Sequence, residues 1–138
     1  MSIQQVCNYL ESHFINPSVQ RVAIMKYMFE QYLSHPTVEQ IYAGLLPSMP
    51  TLSKATVYNT LRLFVEKKAI IPILIEERNV RYDLNIKAHA HFRCRSCGGI
   101  HDVPLEKSDI PKFRGNPECS PGDAQVYFLG ACRKCTDA

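Results

Sequence analysis

Cys94-x-x-Cys97 and Cys132-x-x-Cys135 are the residues whose types and spacing say most about chemistry in this 138-residue chain. A Cys-x-x-Cys turn aims two thiolates at one point. Two such turns complete the closed tetrahedral sulfur shell that holds a structural zinc. Gly98-Gly99 follow the first pair and allow the turn its unusual dihedrals. A redox Cys-x-x-Cys or an iron–sulfur cluster is the alternative, but a lone redox motif has no use for a second pair. Structural Zn2+ is the expectation. It would tie the end of the chain to the first strands of its second part, as small domains below about 70 residues often require. Cys7 and Cys119 fit no ligand pattern and are expected to be one buried and one exposed free thiol.

His89-Ala90-His91 is the next feature with chemical content. On a strand, side chains at i and i+2 share a face, so both imidazoles can meet one ion. Asp83 lies before the pair, Asp102 lies just past the first Cys knuckle, and His35 sits before Pro36 at a turn. Nitrogen and oxygen ligands of this kind suit Fe(II), Mn(II) or Zn(II), with carboxylates favouring the harder ions. Spacing alone does not choose among them. His35 also reads as a turn residue, Asp83 and Asp102 as surface charges, and His89 and His91 as polar positions on an exposed strand. His13 and His101 are expected at the surface, with His101 pointing opposite to Asp102.

The third feature is the run Ser53-Lys54-Ala55-Thr56-Val57-Tyr58-Asn59-Thr60-Leu61-Arg62. A helix entering the major groove needs polar side chains on its outer face near its N-terminus. Asn pairs bidentately with adenine, and Arg with guanine or a phosphate. Lys54, Thr56, Tyr58, Asn59 and Arg62 are therefore the candidate DNA contacts. Taken singly, each also fits a solvated amphipathic helix.

These residues need elements to hold them. Residues 4–13 read as a short helix. Pro17-Ser18 open a second, whose apolar face is Val22, Met25, Met28, Phe29, Tyr32 and Leu33, and which His35-Pro36 ends. Thr37 and Gln40 form a capping box for a third helix reaching about Leu46. Ser53 caps a fourth, running to about Lys68, with Val57, Leu61, Phe64 and Val65 on its core face. Residues 70–76 and 80–84 read as two strands, the first confined to an edge by Pro72. Residues 91–103 read as two strands around a Cys knuckle, 106–113 as partly helical, and 125–129 as a last strand. The fold class expected is α+β. A winged helix-turn-helix domain over residues 1–84 is followed by a small α/β domain over 85–138 that carries the four-cysteine site.

The net charge of +3 is too small for a basic tail that binds any nucleic acid, but leaves room for a local basic face. Apolar runs fall far short of the roughly 20 residues of a membrane helix, and residues 1–10 lack a signal-peptide pattern. No membrane association and a cytoplasmic location are expected.

Taken in order, Gln20-Arg21, His35-Pro36-Thr37, Ala55-Thr56-Val57-Tyr58, Arg81-Tyr82-Asp83, His89-Ala90-His91, Cys94-x-x-Cys97-Gly98 and Gly130-x-Cys132-x-x-Cys135 resemble the ferric uptake regulator superfamily over nearly the whole chain. The resemblance implies a homodimeric repressor on a palindromic double-stranded DNA operator. It implies a regulatory Fe2+ or Mn2+ site built from His35, Asp83, His89, His91 and Asp102. Metal binding would clamp the domains into a closed, DNA-competent dimer. Asn59 after Tyr58, and Asp rather than Glu at 83 and 102, are similar to the peroxide-responsive branch. There, Fe(II)-dependent oxidation of a ligand histidine releases DNA, and His35 and His89 stand at the oxidised positions. Two departures from the family pattern are residues 114–122 and the lack of a His between His101 and Cys132. The second argues against an iron-uptake regulator.

Three other functions compete with this expectation. One is an iron- or zinc-responsive repressor of the same superfamily. The second is a small metalloenzyme using His89, His91 and a carboxylate, for which the chain shows no spare acid–base pair; no enzyme activity is expected. The third is a zinc-stapled interaction domain with no sensing role.

Overall fold

The computed structural model describes residues 1–75, 79–84, 89–106, 115, 117–119 and 124–136. The chain divides into two compact units, Met1–Ile86 and Lys87–Ala138.

The first unit is built from four helices and a small hairpin: α1 (Ile3–Ser12), α2 (Val19–Glu30), α3 (Val38–Leu45), α4 (Lys54–Glu66), β1 (Ile71–Ile73) and β2 (Arg81–Asp83). Side chains cap all four helices: Ser2, Ser18, Thr37 and Ser53 each accept from a backbone N–H of the first turn. At Ser2 and Thr37 the glutamine three residues on returns the bond, completing a capping box. Val6 and Leu10 of α1, Ile24, Met25 and Met28 of α2, Ile41 of α3, and Val57, Leu61 and Phe64 of α4 close one core. Helix α3, the turn and α4 form the helix-turn-helix. The hairpin β1–β2 is the wing, antiparallel with Ile71 opposite Asp83 and Ile73 opposite Arg81.

Four expectations need correction here. The second helix does not run to His35. It ends at Glu30, and residues Tyr32–Ser34 tighten into a 3-10 turn. Tyr32 and Leu33 consequently leave the core and are 45% and 70% exposed. The cause is Pro36, which bars His35 from the right-handed helical region; His35 takes a left-handed conformation instead, with φ 48°. The wing strands are also shorter than 70–76 and 80–84. Leu74 is 58% exposed, and β2 spends its other edge on an isolated bridge from Arg81 to Thr37. His13 is half-buried, because its ring packs on Tyr9 at 4.5 Å and its Nδ1 meets the Tyr9 carbonyl at 2.9 Å. Cys7 is half-buried rather than buried, one residue round the helix from the buried Val6, while Cys119 is exposed.

The second unit holds β3 (His89–Cys94), β4 (Ile100–Pro104), β5 (Val126–Gly130) and the single-turn α5 (Arg133–Thr136). The sheet order is β4-β3-β5, with β3–β4 antiparallel and β3–β5 parallel. The expected helix over 106–113 falls, past Glu106, outside the described residues, as does most of 114–122. Among the described residues no helix is long and apolar enough to cross a membrane.

Candidate functional site

Two knuckles bring the four cysteines together. The first closes when the Gly98 N–H donates to the Cys94 carbonyl at 2.9 Å and the Cys94 N–H donates to the Gly99 carbonyl at 3.0 Å. Gly98 has φ 73°, a conformation open to glycine at little cost. The second closes through the N–H groups of Cys135 and Thr136, both donating to the Cys132 carbonyl at 2.9 Å. The parallel β3–β5 pairing sets Cys94 beside Gly130, which draws the two knuckles to one point. The four Sγ atoms then lie within 4.8 Å of one another.

The Cys97 and Cys132 sulfurs are 3.8 Å apart. Two sulfurs bound tetrahedrally to zinc at about 2.3 Å are separated by about 3.8 Å, so the cluster has the size of the zinc shell. Its electrostatics agree. The Cys94 thiol is lowered to about 5, chiefly by the backbone N–H of Cys132 and then that of Cys97. Cys135 is pushed up to about 12 by its hydrogen bonds with the Cys132 and Cys94 thiols. Four thiols this close cannot all ionise by themselves, and a divalent cation is what lets them do so.

Of the histidine–carboxylate residues, His35 and Asp83 belong to the first unit, and His89, His91 and Asp102 to the second. In the first unit His35 and Asp83 are 2% and 0% exposed, which excludes a surface role for Asp83. His35 Nε2 lies 3.7 Å from Asp83 Oδ2. Strand β2 makes this pair. Its Tyr82 N–H donates to the Pro36 carbonyl at 3.0 Å, and Arg81 Nη1 donates to the His35 carbonyl at 3.4 Å. The wing thus holds the left-handed turn at His35 and sets Asp83 against it.

In the second unit His89 and His91 share one face of β3, and Asp102 of β4 stands opposite His91 in the ladder. The two Nε2 atoms are 3.0 Å apart. Asp102 Oδ1 lies 3.5 Å from His89 Nε2 and 3.3 Å from His91 Nε2. Both imidazoles are 5% exposed, and the Asp102 side chain is 30% exposed. Two nitrogens bound at about 2.1 Å with a right angle between them are about 3.0 Å apart. Three donors converging from two strands therefore suit one first-row divalent ion. His101, on the other face of β4, is exposed as expected.

Helix α4 turns Lys54, Tyr58, Asn59 and Arg62 outward; Tyr58 is 54% exposed. Thr56 is half-buried, and its hydroxyl lies 2.9 Å from Ser53 Oγ at the cap. Lys54 Nζ sits 5.7 Å above the Tyr42 ring, and Arg62 Nε is 3.4 Å from Glu66. Arg21, absent from the candidates above, borders Thr56 and Asn59. Its neighbourhood depends on how α2 packs on α4, which no local pattern announces.

Comparison with known proteins agrees with this geometry. Residues 15–114 match the ferric uptake regulator family. The chain is 40% identical over 122 residues to the peroxide-responsive repressor PerR of Staphylococcus epidermidis, covering 86% of this chain and 79% of that one. It is similar to a structure of PerR from Streptococcus pyogenes described as a basis for peroxide sensing and gene regulation, at 26% identity and a TM-score of 0.53, over 96% of this chain and 92% of that one. The Helicobacter pylori ferric uptake regulator, at 15% identity, shares the fold with a TM-score of 0.71 over 100% of this chain and 96% of that one. With a family match across most of its length and a relative at this identity, the chain belongs to the ferric uptake regulator family.

Proposed function

We propose that this protein is a dimeric, metal-dependent DNA-binding transcriptional repressor, not an enzyme, that responds to peroxide. The observation that carries the reading is the buried meeting of His89 and His91 Nε2 with one Asp102 oxygen at 3.3–3.5 Å. The 40% identity to a peroxide-responsive repressor supports the branch. The four cysteines hold a structural Zn2+. The domains correspond to residues 1–84 for DNA binding and 85–138 for metal binding and dimerisation.

His35, Asp83, His89, His91 and Asp102 serve one regulatory Fe2+ or Mn2+. The chemistry of both groups, imidazole with carboxylate and buried, supports the assignment. Fe(II) held by these ligands would supply the redox chemistry that cleaves a peroxide O–O bond, and Mn(II) at the same ligands would not. The net change would be one oxygen atom added at a ring carbon of His35 or His89, with the peroxide's other oxygen leaving as water, two electrons coming from the histidine ring and none lost overall from the iron. The modified ring is a poorer ligand, and the metal-dependent preference for the DNA-competent state is lost with it.

Lys54, Thr56, Tyr58, Asn59 and Arg62 contact DNA. A twofold dimer reads an inverted repeat whose half-sites are spaced by about one helical turn, roughly 34–36 Å, or a multiple of it. Its DNA target puts the protein in the cytoplasm. The test is a gel-shift titration of the Fe(II) and Mn(II) forms with and without a peroxide pulse. Release of DNA by the Fe(II) form alone is expected. Retention by both forms would move the protein to an iron- or manganese-responsive repressor.

A further inference from the structure

Arg21 stands in the first turn of α2, where Ser18 Oγ accepts from its backbone N–H at 3.3 Å. Its Nη1 donates to the Asn16 carbonyl at 2.9 Å, which fixes the guanidinium against the loop after α1. It shares a concavity of about 220 Å³ with Thr56, Asn59, Thr60 and Leu63 of α4. Among the described residues no carboxylate lines that space. Among the described residues Arg21 makes no ion pair, whereas Lys26 of α2 and Arg62 of α4 are each taken by a glutamate, at 3.7 Å and 3.4 Å.

A guanidinium held by a backbone carbonyl, with no carboxylate partner among the described residues and with a hydroxyl and an amide beside it, suits an oxyanion. Thr56 can accept from Ser53 Oγ across their 2.9 Å contact and still donate its own hydrogen into the space. Asn59 joins this concavity to the outward face of the reading helix. We propose that Arg21 and Thr56 bind one phosphodiester of the DNA backbone beside Asn59, so that Arg21 sets the register in which α4 enters the groove. The proposal rests on the DNA-binding reading above. A phosphate contact positions the protein and carries no base preference.

The test uses the full-length Mn(II)-loaded protein and a duplex selected by the wild-type protein from a randomised pool. Affinity is measured by fluorescence anisotropy across a salt series. Each dimer carries two Arg21 side chains, so Arg21→Gln should make the slope of log K against log salt shallower by about 1.8. The same term predicts an affinity loss of about 30-fold at 0.15 M salt that vanishes on extrapolation to 1 M. Arg21→Lys should restore the slope, and base preference in competition should stay unchanged in both variants. An unchanged slope with a lowered Tm would mean that Arg21 only anchors the loop, and would overturn the proposal. Altered base preference would overturn it too. Should Arg21→Gln not fold, phenylglyoxal labelling of the wild-type protein decides: the duplex should protect Arg21, and equal labelling with and without DNA would refute the contact. If the wild-type protein binds no duplex in a metal-dependent way, the repressor reading itself fails, an outcome distinct from either of these.

Discussion

One carboxylate oxygen faces two imidazole nitrogens in the second unit, and under the proposed function the reach of that side chain matters. Asp102 Oδ1 lies 3.3 Å from His91 Nε2 and 3.5 Å from His89 Nε2. A glutamate at this position adds one C–C bond, roughly 1.5 Å, to the arm that presents the oxygen. Asp102→Glu should keep metal-dependent DNA binding, yet lower sensitivity to peroxide roughly tenfold or more, as misplacement on the ångström scale does at reacting centres. Dose–response curves for DNA release check it, and equal sensitivity would count against the peroxide branch. On α4, Tyr58→Ala should weaken DNA binding and Asn59→Arg should shift base preference, both read in gel-shift competition, since both side chains are exposed on the helix. The residue scale was unevenly legible in the sequence. The Cys pairs announce themselves because a two-residue spacer is itself the geometry of a knuckle. The His89–His91 spacing announces a shared strand face. His35 and Asp83 announce nothing by themselves, because their meeting depends on β2 pairing with Pro36 and Thr37, 46 positions away in the chain at the Arg81–His35 contact.

At the scale of elements, helix starts were easier to read than helix ends. Ser18, Thr37 and Ser53 are capping types that stand where the helices begin. The ends of α1 and α4 carry no such signal. Phe14 and Lys68 adopt the left-handed conformation at φ 60° and 59°, the place where glycine is usual. The Ile15 and Ala69 N–H groups then donate to the carbonyls of Leu10 and Phe64, at 3.0 Å and 2.9 Å. Lys68→Gly should therefore stabilise the first unit by about 1 kcal/mol, by removing the cost of a β-carbon in that conformation. Urea denaturation measures it, and a loss of stability would show that the lysine side chain does more than occupy the turn. Thr37→Ala breaks both bonds of the capping box of α3 and should cost about 1 kcal/mol by the same measurement. The same local–nonlocal divide explains the second helix. Its apolar spacing continues to Leu33, but the restriction that Pro36 places on His35 tightens the chain before it gets there.

Across the whole molecule the two units are stabilised by different means. The first has an apolar core drawn from all four helices and the wing. In the second, the buried residues among those described are Ala90, His91 and Cys94. With so few buried apolar groups among its described residues, this unit should depend on its metal, because metal binding and folding there would be the same free energy. Cys94→Ser should lose zinc by elemental analysis and unfold the second unit, while far-UV circular dichroism retains the helices of the first. Zinc retained in full would contradict the four-sulfur site. The architecture was legible in the order of helices, hairpin and Cys knuckles, whereas the parallel pairing of β3 with β5 was not, since it joins residues more than thirty positions apart. The central claim, that ligand histidines register peroxide, is tested most directly by loading the protein with Fe(II) without oxygen, giving a brief pulse of dilute peroxide, and mapping the peptides by mass spectrometry. One added oxygen on His35 or His89, with DNA released and no such change in the Mn(II) form, is the result predicted. Unmodified histidines with DNA still bound would contradict it, and would leave a metal-dependent repressor that does not sense peroxide.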